Sequence, residues 1–351
     1  MGADSGNLHP NENGVHMKIL VTGGGGFLGA AIVRQLLARG DQVRVLNRSH
    51  YPSLQALGVD CHQGDISDAA AVSTAVQGVA AVIHVAAKAG PGLIDHEFEA
   101  ANVQGTAHVI AACRKWGVDV LVHTSSPSVV HSAGDIEGGD ESLPLASHFS
   151  APYPATKAEA ERLVLAANGN GLCTCALRPH LIWGPGDNQL LPRLLEKNAA
   201  GRLRLPAPNK RIDTVYIDNA ADAHLLALDN LLGSGTAAGK AYFISNGEPI
   251  ANGEMIARLI QAAGEVPRIR RVSPSLAMAL ATVVEGVWRL LRLRSDPPLS
   301  RFVVEHLATA HWYDLSAAER DLGYRPKVSI DQGLERLALA MAEAKRSSEP
   351  R

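Results

Sequence analysis

Tyr153 and Lys157, in the segment YPATK, are spaced so that both side chains fall on one face of a helix. A phenol with an ordinary pKa of about 10 is a poor acid or base at neutral pH, and an ammonium held nearby stabilises the phenolate and lowers that value. Upstream, the segment TSS, Thr124 to Ser126, offers in Ser126 a hydroxyl able to donate to a developing oxyanion. Alone, such a Tyr and Lys are most often an exposed helix face, and TSS most often ends a strand in a turn. In combination they suit proton transfer at a carbonyl or hydroxyl oxygen.

A third cluster, TGGGGFLG, covers Thr22 to Gly29. Gly23 suits a tight turn, Gly26 lets backbone approach a pyrophosphate, and Gly29 lets a helix pack closely on a strand; Phe27 and Leu28 belong to the same turn. Further on, where an NAD-binding unit carries a carboxylate for the ribose 2′-hydroxyl, this chain has Asn47 and Arg48. A neutral amide beside a guanidinium suits a 2′-phosphate, which favours NADP(H) over NAD(H). The alternative is that Arg48 is a solvated loop residue.

These residues need a scaffold, and the apolar pattern supplies one. KILVTG, QVRVLNR, VDCHQGD, AAVIHVAAK, DVLVHTSS and LCTCALRP read as strands. They alternate with helical segments at AAIVRQLLARG, from near Ser67, over Ile94 to Trp116 and over Pro152 to Ala167. Such strands in a βα alternation predict a parallel, doubly wound α/β sheet of the Rossmann type. The pattern assigns residues 17–180 to a dinucleotide-binding domain, with 212–246 returning to it. Residues 181–211 and 247–340 form a smaller, mainly helical substrate lobe, 1–16 a disordered extension and 341–351 a tail. Tyr153 lies between two prolines, which predicts that it sits at the cap of its helix with Pro154 in the first turn.

Composition narrows the function classes. Of 351 residues, 33 are Lys or Arg and 35 Asp or Glu, a formal charge of -2 that offers no footprint for nucleic acid or an anionic membrane. The 4 cysteines lack paired ligand spacing and disulfide density, which fits a cytoplasmic protein. The 14 histidines form no close ligand pair, so no metal is expected. His84 and His123 read as structural, and His180 as a candidate substrate contact. The first sixteen residues do not read as a signal peptide, and no apolar run is long enough for an integral membrane contact. The apolar stretch Ser275 to Arg294, turning basic at its end, allows packing in the lobe, an acyl pocket or a peripheral membrane surface.

Taken in order, TGGGGFLG, GDISD, HVAAK, TSS and YPATK resemble the extended short-chain dehydrogenase/reductases. The resemblance runs from Met17 to about Leu337. The segments ALRPHLIWGPGDNQLLPRLLEK, DTVYIDNAADAH and AYFISNGEP resemble the 3β-hydroxysteroid dehydrogenase-like branch, and within it the bacterial 2-alkyl-3-oxoalkanoate reductases of long-chain olefin biosynthesis. The resemblance implies Ser126 as catalytic hydroxyl, Tyr153 as proton donor or acceptor, and Lys157 as the lysine that binds the nicotinamide ribose and tunes the tyrosine. It also implies Asp65 and Ile66 at the adenine, Ala86, Ala87 and Lys88 along the nucleotide, and Pro179 at the nicotinamide. The implied reaction reduces a long-chain β-keto acid with NADPH. The other enzymes of the olefin pathway and a second copy of the chain stand as candidate partners. Rival readings are a 3β-hydroxysteroid or sterol dehydrogenase, a nucleotide-sugar epimerase, and a non-enzymatic nucleotide sensor.

Overall fold

The computed structural model describes residues 17–132 and 134–348, so the expected extension over 1–16 lies outside the described residues. Seven strands form one parallel sheet: β1 (Lys18–Thr22), β2 (Gln42–Asn47), β3 (Asp60–Gln63), β4 (Ala81–His84), β5 (Val120–Thr124), β6 (Cys173–Pro179) and β7 (Lys240–Ile244). Their order is β7-β6-β5-β4-β1-β2-β3. The direction of winding reverses between β1 and β4, the crevice where ligands bind in open α/β sheets. Register aligns the strand ends there: Thr22 pairs with His84, His84 with His123, and Thr124 with Leu177.

The uniform apolarity of the strands has its explanation in two cores. Ile19, Val21, Ile83 and Val122 pack on one face under the helices Phe27–Ala38 and Ile217–Leu232, while Leu20, Val82 and Leu121 pack on the other with Val109, Cys113 and Val164. With helices on both faces, the central strands β1, β4 and β5 are buried along nearly their whole length.

The first turn is set by contacts that exclude a side chain. Gly23 sits at φ +71°, its N–H donates to the Leu46 carbonyl at 2.9 Å, and a Cβ on it would lie 3.0 Å from the Ala86 backbone. At Gly29 a Cβ would lie 2.2 Å from the Gly23 carbonyl oxygen. The Phe27–Ala38 helix is thereby drawn onto β1, and its N-cap, Gly26, makes no side-chain capping bond.

Three expectations are revised. The segment from Ile94 to Trp116 is not one regular helix: it runs as α-helix Asp95–Phe98, π-helix Glu99–Gln104 and α-helix Gly105–Trp116. Tyr153 is not at the cap, because the Pro152–Ala166 helix is capped by Ala151 and holds Tyr153 in its first turn. The first turn has no intrahelical acceptors for its N–H groups, so prolines on both sides of Tyr153 cost no hydrogen bond there. The last helix, Ile330–Ser348, passes through the boundary drawn at residue 340, so most of the tail is helical.

The chain after β6 returns to the main sheet only at β7. Val215–Tyr216 instead pairs with Ile182–Trp183, and a four-stranded sheet joins Ile250–Ala251, Arg211–Ile212, His311–Tyr313 and Ile136–Gly139. This second sheet, which the sequence pattern does not reveal, carries the C-terminal lobe to the carboxyl edge of β5 and β6.

Gly29→Ala should destabilise the fold by about 1–3 kcal/mol, because the methyl group meets backbone that cannot yield. Gly286→Ala, in an open helical position with nothing within 4 Å, should gain about 0.5–1 kcal/mol. Urea unfolding of both variants checks the opposite signs.

Candidate active site

Ser126, Tyr153 and Lys157 meet at the carboxyl edge of β5. Thr124 ends the strand, and its hydroxyl bonds His224 Nε2 at 2.8 Å while His224 Nδ1 bonds the Ala220 carbonyl at 2.7 Å, so Thr124 is structural. Ser126 caps a short 3-10 turn over Pro127–Val129 by accepting from the Ser128 N–H at 3.2 Å, and its Oγ lies 2.9 Å from Ser128 Oγ. Burial raises the Tyr153 phenol above its ordinary pKa, and hydrogen bonding with Ser126 works in the opposite direction. The Phe302 ring meets the Tyr153 ring edge-on at 6.1 Å.

Lys157 is 3% exposed. Its ammonium donates to the Thr124 carbonyl at 2.5 Å and lies 3.4 Å from His123 Nε2. Burial lowers its pKa to about 8, and the charge of Glu161 one turn on opposes that shift. Glu161 is itself fixed by Arg178 of β6 through bonds of 3.0 and 2.6 Å between two buried side chains. Sequence patterns assign no role to Arg178 or Glu161. A charged residue in an apolar strand and another on a buried helix face were the available signal.

A second chain of bonds runs from the glycine turn to the same helix. The Thr22 hydroxyl bonds His84 Nδ1 at 2.8 Å and accepts from the Val85 and Ala86 N–H groups. His84 Nε2 bonds Thr106 Oγ1 at 3.0 Å, and that hydroxyl donates to the Asn102 carbonyl at 2.6 Å. His84, lowered by burial to about 3, is neutral, as its reading as a structural residue requires. Asn102, inside the π-helix, accepts from the Lys88 N–H at 2.7 Å, donates to the Lys88 carbonyl at 3.0 Å and reaches Thr156 Oγ1 at 2.9 Å. No sequence pattern singles out Asn102, because the insertion that turns it inward is invisible to a 3.6-residue period.

The remaining expected nucleotide contacts lie at the ends of β2, β3, β4 and β6. Ala86 abuts Gly23, while Lys88 extends to an ion pair with Glu97 at 2.5 Å. Ile66 is buried against Gly105, and Asp65 accepts from the Ser67 N–H and hydroxyl, which hold its carboxyl below the usual range. Arg48 is exposed, but Asn47 is buried and its Oδ1 accepts from the Gly25 N–H at 3.0 Å, so the amide braces the glycine turn. Pro179, at the end of β6, is buried beside Ile244. An uncapped helix start, backed by glycines whose Cβ atoms would strike backbone, fits a pyrophosphate approaching Gly26, Phe27 and Leu28.

Next to Tyr153, a cavity of about 270 Å³ is lined by Ser128, Phe149, Pro154, Phe302, Glu305 and His306, among others. His180 does not line it. It packs edge-on against His311 at 4.8 Å and Tyr313 at 5.6 Å, and His131, His306 and His311 complete the cluster of rings. Among the described residues, no group of three or more His, Cys, Asp or Glu side chains is arranged to hold a metal ion.

The depressed Lys157 value carries a sign. Between pH 8 and the unfolded lysine value the unfolded chain binds more protons, so stability rises with pH across that window. Relative to Lys157→Met, the wild-type chain should gain about 2 kcal/mol between pH 7.5 and 9.5. Chemical denaturation of both proteins at the two pH values measures it, and an unchanged difference would rule out a buried ammonium.

Known proteins share this architecture. The 3-beta hydroxysteroid dehydrogenase/isomerase family matches residues 20–273. A 2-alkyl-3-oxoalkanoate reductase of Stenotrophomonas maltophilia (strain K279a) is 53% identical over 330 residues, 93% of this chain and 100% of that protein. A 3 beta-hydroxysteroid dehydrogenase/Delta 5-->4-isomerase of Mycobacterium tuberculosis is 38% identical, over 90% of this chain and 88% of its own. Among solved structures, the UDP-glucose 4-epimerase of Thermus thermophilus complexed with NAD superposes with a TM-score of 0.71 at 25% identity, covering 93% of this chain and 100% of that one. With its sheet order, nucleotide edge and family match in agreement, the chain belongs to the 3-beta hydroxysteroid dehydrogenase/isomerase family and is a nicotinamide-dependent oxidoreductase acting on hydroxyl or ketone groups.

Proposed function

We propose that this protein uses NADPH to reduce a 2-alkyl-3-oxoalkanoate to the 2-alkyl-3-hydroxyalkanoate in long-chain olefin biosynthesis. The observation that carries this reading is the end-to-end likeness, at 53% identity, to a 2-alkyl-3-oxoalkanoate reductase. The Ser126, Tyr153 and Lys157 set beside a half-open cavity is compatible with it. A bound nicotinamide supplies the hydride for the C3 carbonyl carbon. Ser126 donates a hydrogen bond to the C3 oxygen as charge develops, and Tyr153 delivers the proton that completes the hydroxyl. Lys157 holds the ribose and adds positive charge near the phenol.

Preference for NADP(H) follows from Arg48, exposed where β2 ends, with no carboxylate in its place to repel a 2′-phosphate. All four cysteines are free thiols, which suits a cytoplasmic setting. The other olefin-pathway enzymes are the partners this reading implies, and a homodimer is compatible with it. A 3β-hydroxysteroid substrate is the second reading, favoured by the Mycobacterium tuberculosis relative.

Tyr153→Phe should cut turnover by about 10²- to 10⁴-fold while cofactor binding persists, and Lys157→Ala should weaken both. Arg48→Ala should erode NADP(H) preference by roughly tenfold to a hundredfold. Substrate class is decided by oxidising stable 2-alkyl-3-hydroxy acids with NADP+ beside 3β-hydroxysteroids. Each methylene that enters the pocket should improve kcat/KM by roughly fourfold, from about 0.8 kcal/mol of burial, until the site is filled. Steroid turnover with no response to any acyl chain would discard the proposal.

A further inference from the structure

The helix Pro274–Leu290 faces the wrong way for a soluble lobe. Its buried side is narrow and made of Ala277, Ala281 and Glu285. Leu276, Leu280, Val283, Val287 and Leu290 fall on a single stripe at helical spacing, opposite Glu285, and are exposed at 54%, 49%, 64%, 41% and 81%. Ordinary amphipathic packing would put these five inside. None of them lines the cavity beside Tyr153.

Basic charge continues the stripe. Arg289, Arg292 and Arg294 are exposed at the end of the helix and just beyond it, and none makes a salt bridge among the described residues. Leu291 and Leu293, at 60% and 38% exposed, interleave with them. An apolar stripe continued by exposed arginines is complementary to an anionic bilayer surface, with leucines among the acyl chains and guanidinium groups at the phosphates. No described helix is long and apolar enough to cross a membrane, so this one would lie in the interface.

The helix is coupled to the active site. The Glu285 carboxylate accepts from the Arg301 N–H at 2.7 Å and Nε at 2.8 Å, fixing the next helix, Arg301–Ala308. That helix carries Phe302, Glu305 and His306 of the cavity wall. At about 270 Å³ the cavity is smaller than the roughly 300–1,000 Å³ that encloses a drug-sized ligand, so two long alkyl chains cannot both be inside it.

From these observations we propose that the Pro274–Leu290 face docks on an anionic lipid surface and opens the cavity toward it, so that a lipid substrate enters with part of its chains still in the bilayer. The docking stands on the surface alone; the substrate route rests on the acyl reading above.

The test is flotation of the full-length protein with phosphatidylcholine vesicles, with and without phosphatidylglycerol. Wild-type protein should float with the anionic vesicles. Leu280→Glu combined with Val283→Glu should abolish this, and replacing Arg289, Arg292 and Arg294 with Gln should weaken it by roughly a hundredfold. Both variants should keep wild-type thermal stability and NADP(H) binding, which excludes misfolding. Wild-type protein that stays out of the anionic lipid fraction overturns docking. So does a wild-type dimer that becomes monomeric with the two glutamates and never floats, which assigns the face to a second copy. Flotation without turnover of any acyl substrate would keep the docking and remove the acyl reading instead.

Discussion

A buried ammonium organises this molecule. Lys157 loses nearly all its water, and an isolated charge in such a place is expensive unless other groups replace the lost solvation. The replacement comes from three groups on two elements: the Thr124 carbonyl at the end of β5, the imidazole of His123 within it, and the Glu161 carboxylate on the helix. Glu161 is in turn held by Arg178 of β6 with two bonds. The Pro152–Ala166 helix is therefore tied to both strands by ionic and hydrogen-bonding groups that tolerate little sliding. Tyr153, one turn before Lys157, takes its place from that constraint.

The same geometry explains why the glycine turn and the tyrosine helix act as one site. Between them lies a run of hydroxyl, imidazole and amide groups: Thr22, His84, Thr106, Asn102 and Thr156. Thr22 stabilises the backbone after β4 at Ala86, the residue against which Gly23 turns, and Asn102 fixes the following backbone at Lys88. Each group is buried or nearly so, and each has its partner, so the cost of dehydration is met locally. The glycine turn after β1 and the helix that carries Tyr153 are thus held in one frame by groups of the chain itself.

Much of this was legible in the sequence because local patterns carry it. Apolar runs alternating with helical periods point to the parallel sheet, TGGGGFLG and TSS mark strand ends where the structure puts them, and YPATK marks a helix start. What was not legible depends on long-range partners. Asn47 reads as a neutral residue available to a phosphate, and it is instead spent on the Gly25 N–H. Asn102 points inward only because a π-helix adds a residue to the turn. The four-stranded sheet is built from pieces two to four residues long, drawn from Arg211 to Tyr313 and from Ile136, too short for any period to show. The direction faced by Leu280 and Val283 was open for the same reason, since an apolar stripe looks alike whether it meets a core or a solvent boundary.

That second sheet raises a further point about how the lobe is held to the catalytic edge. His131, His180, His306 and His311 come from four separate segments and pack tilted or edge-on with ring centroids 4.6 to 5.9 Å apart. Burial keeps every one of them below the usual histidine range, His131 at about 4. Neutral imidazoles can bond to hydroxyls and carbonyls, as His131 does to Thr309 and His311 to the His306 carbonyl, and add no charge of their own beside the Glu305 carboxyl group that lines the cavity. Phe302, tilted against His306 at 4.3 Å and edge-on to Tyr153, carries apolar surface from the lobe to the Pro152–Ala166 helix.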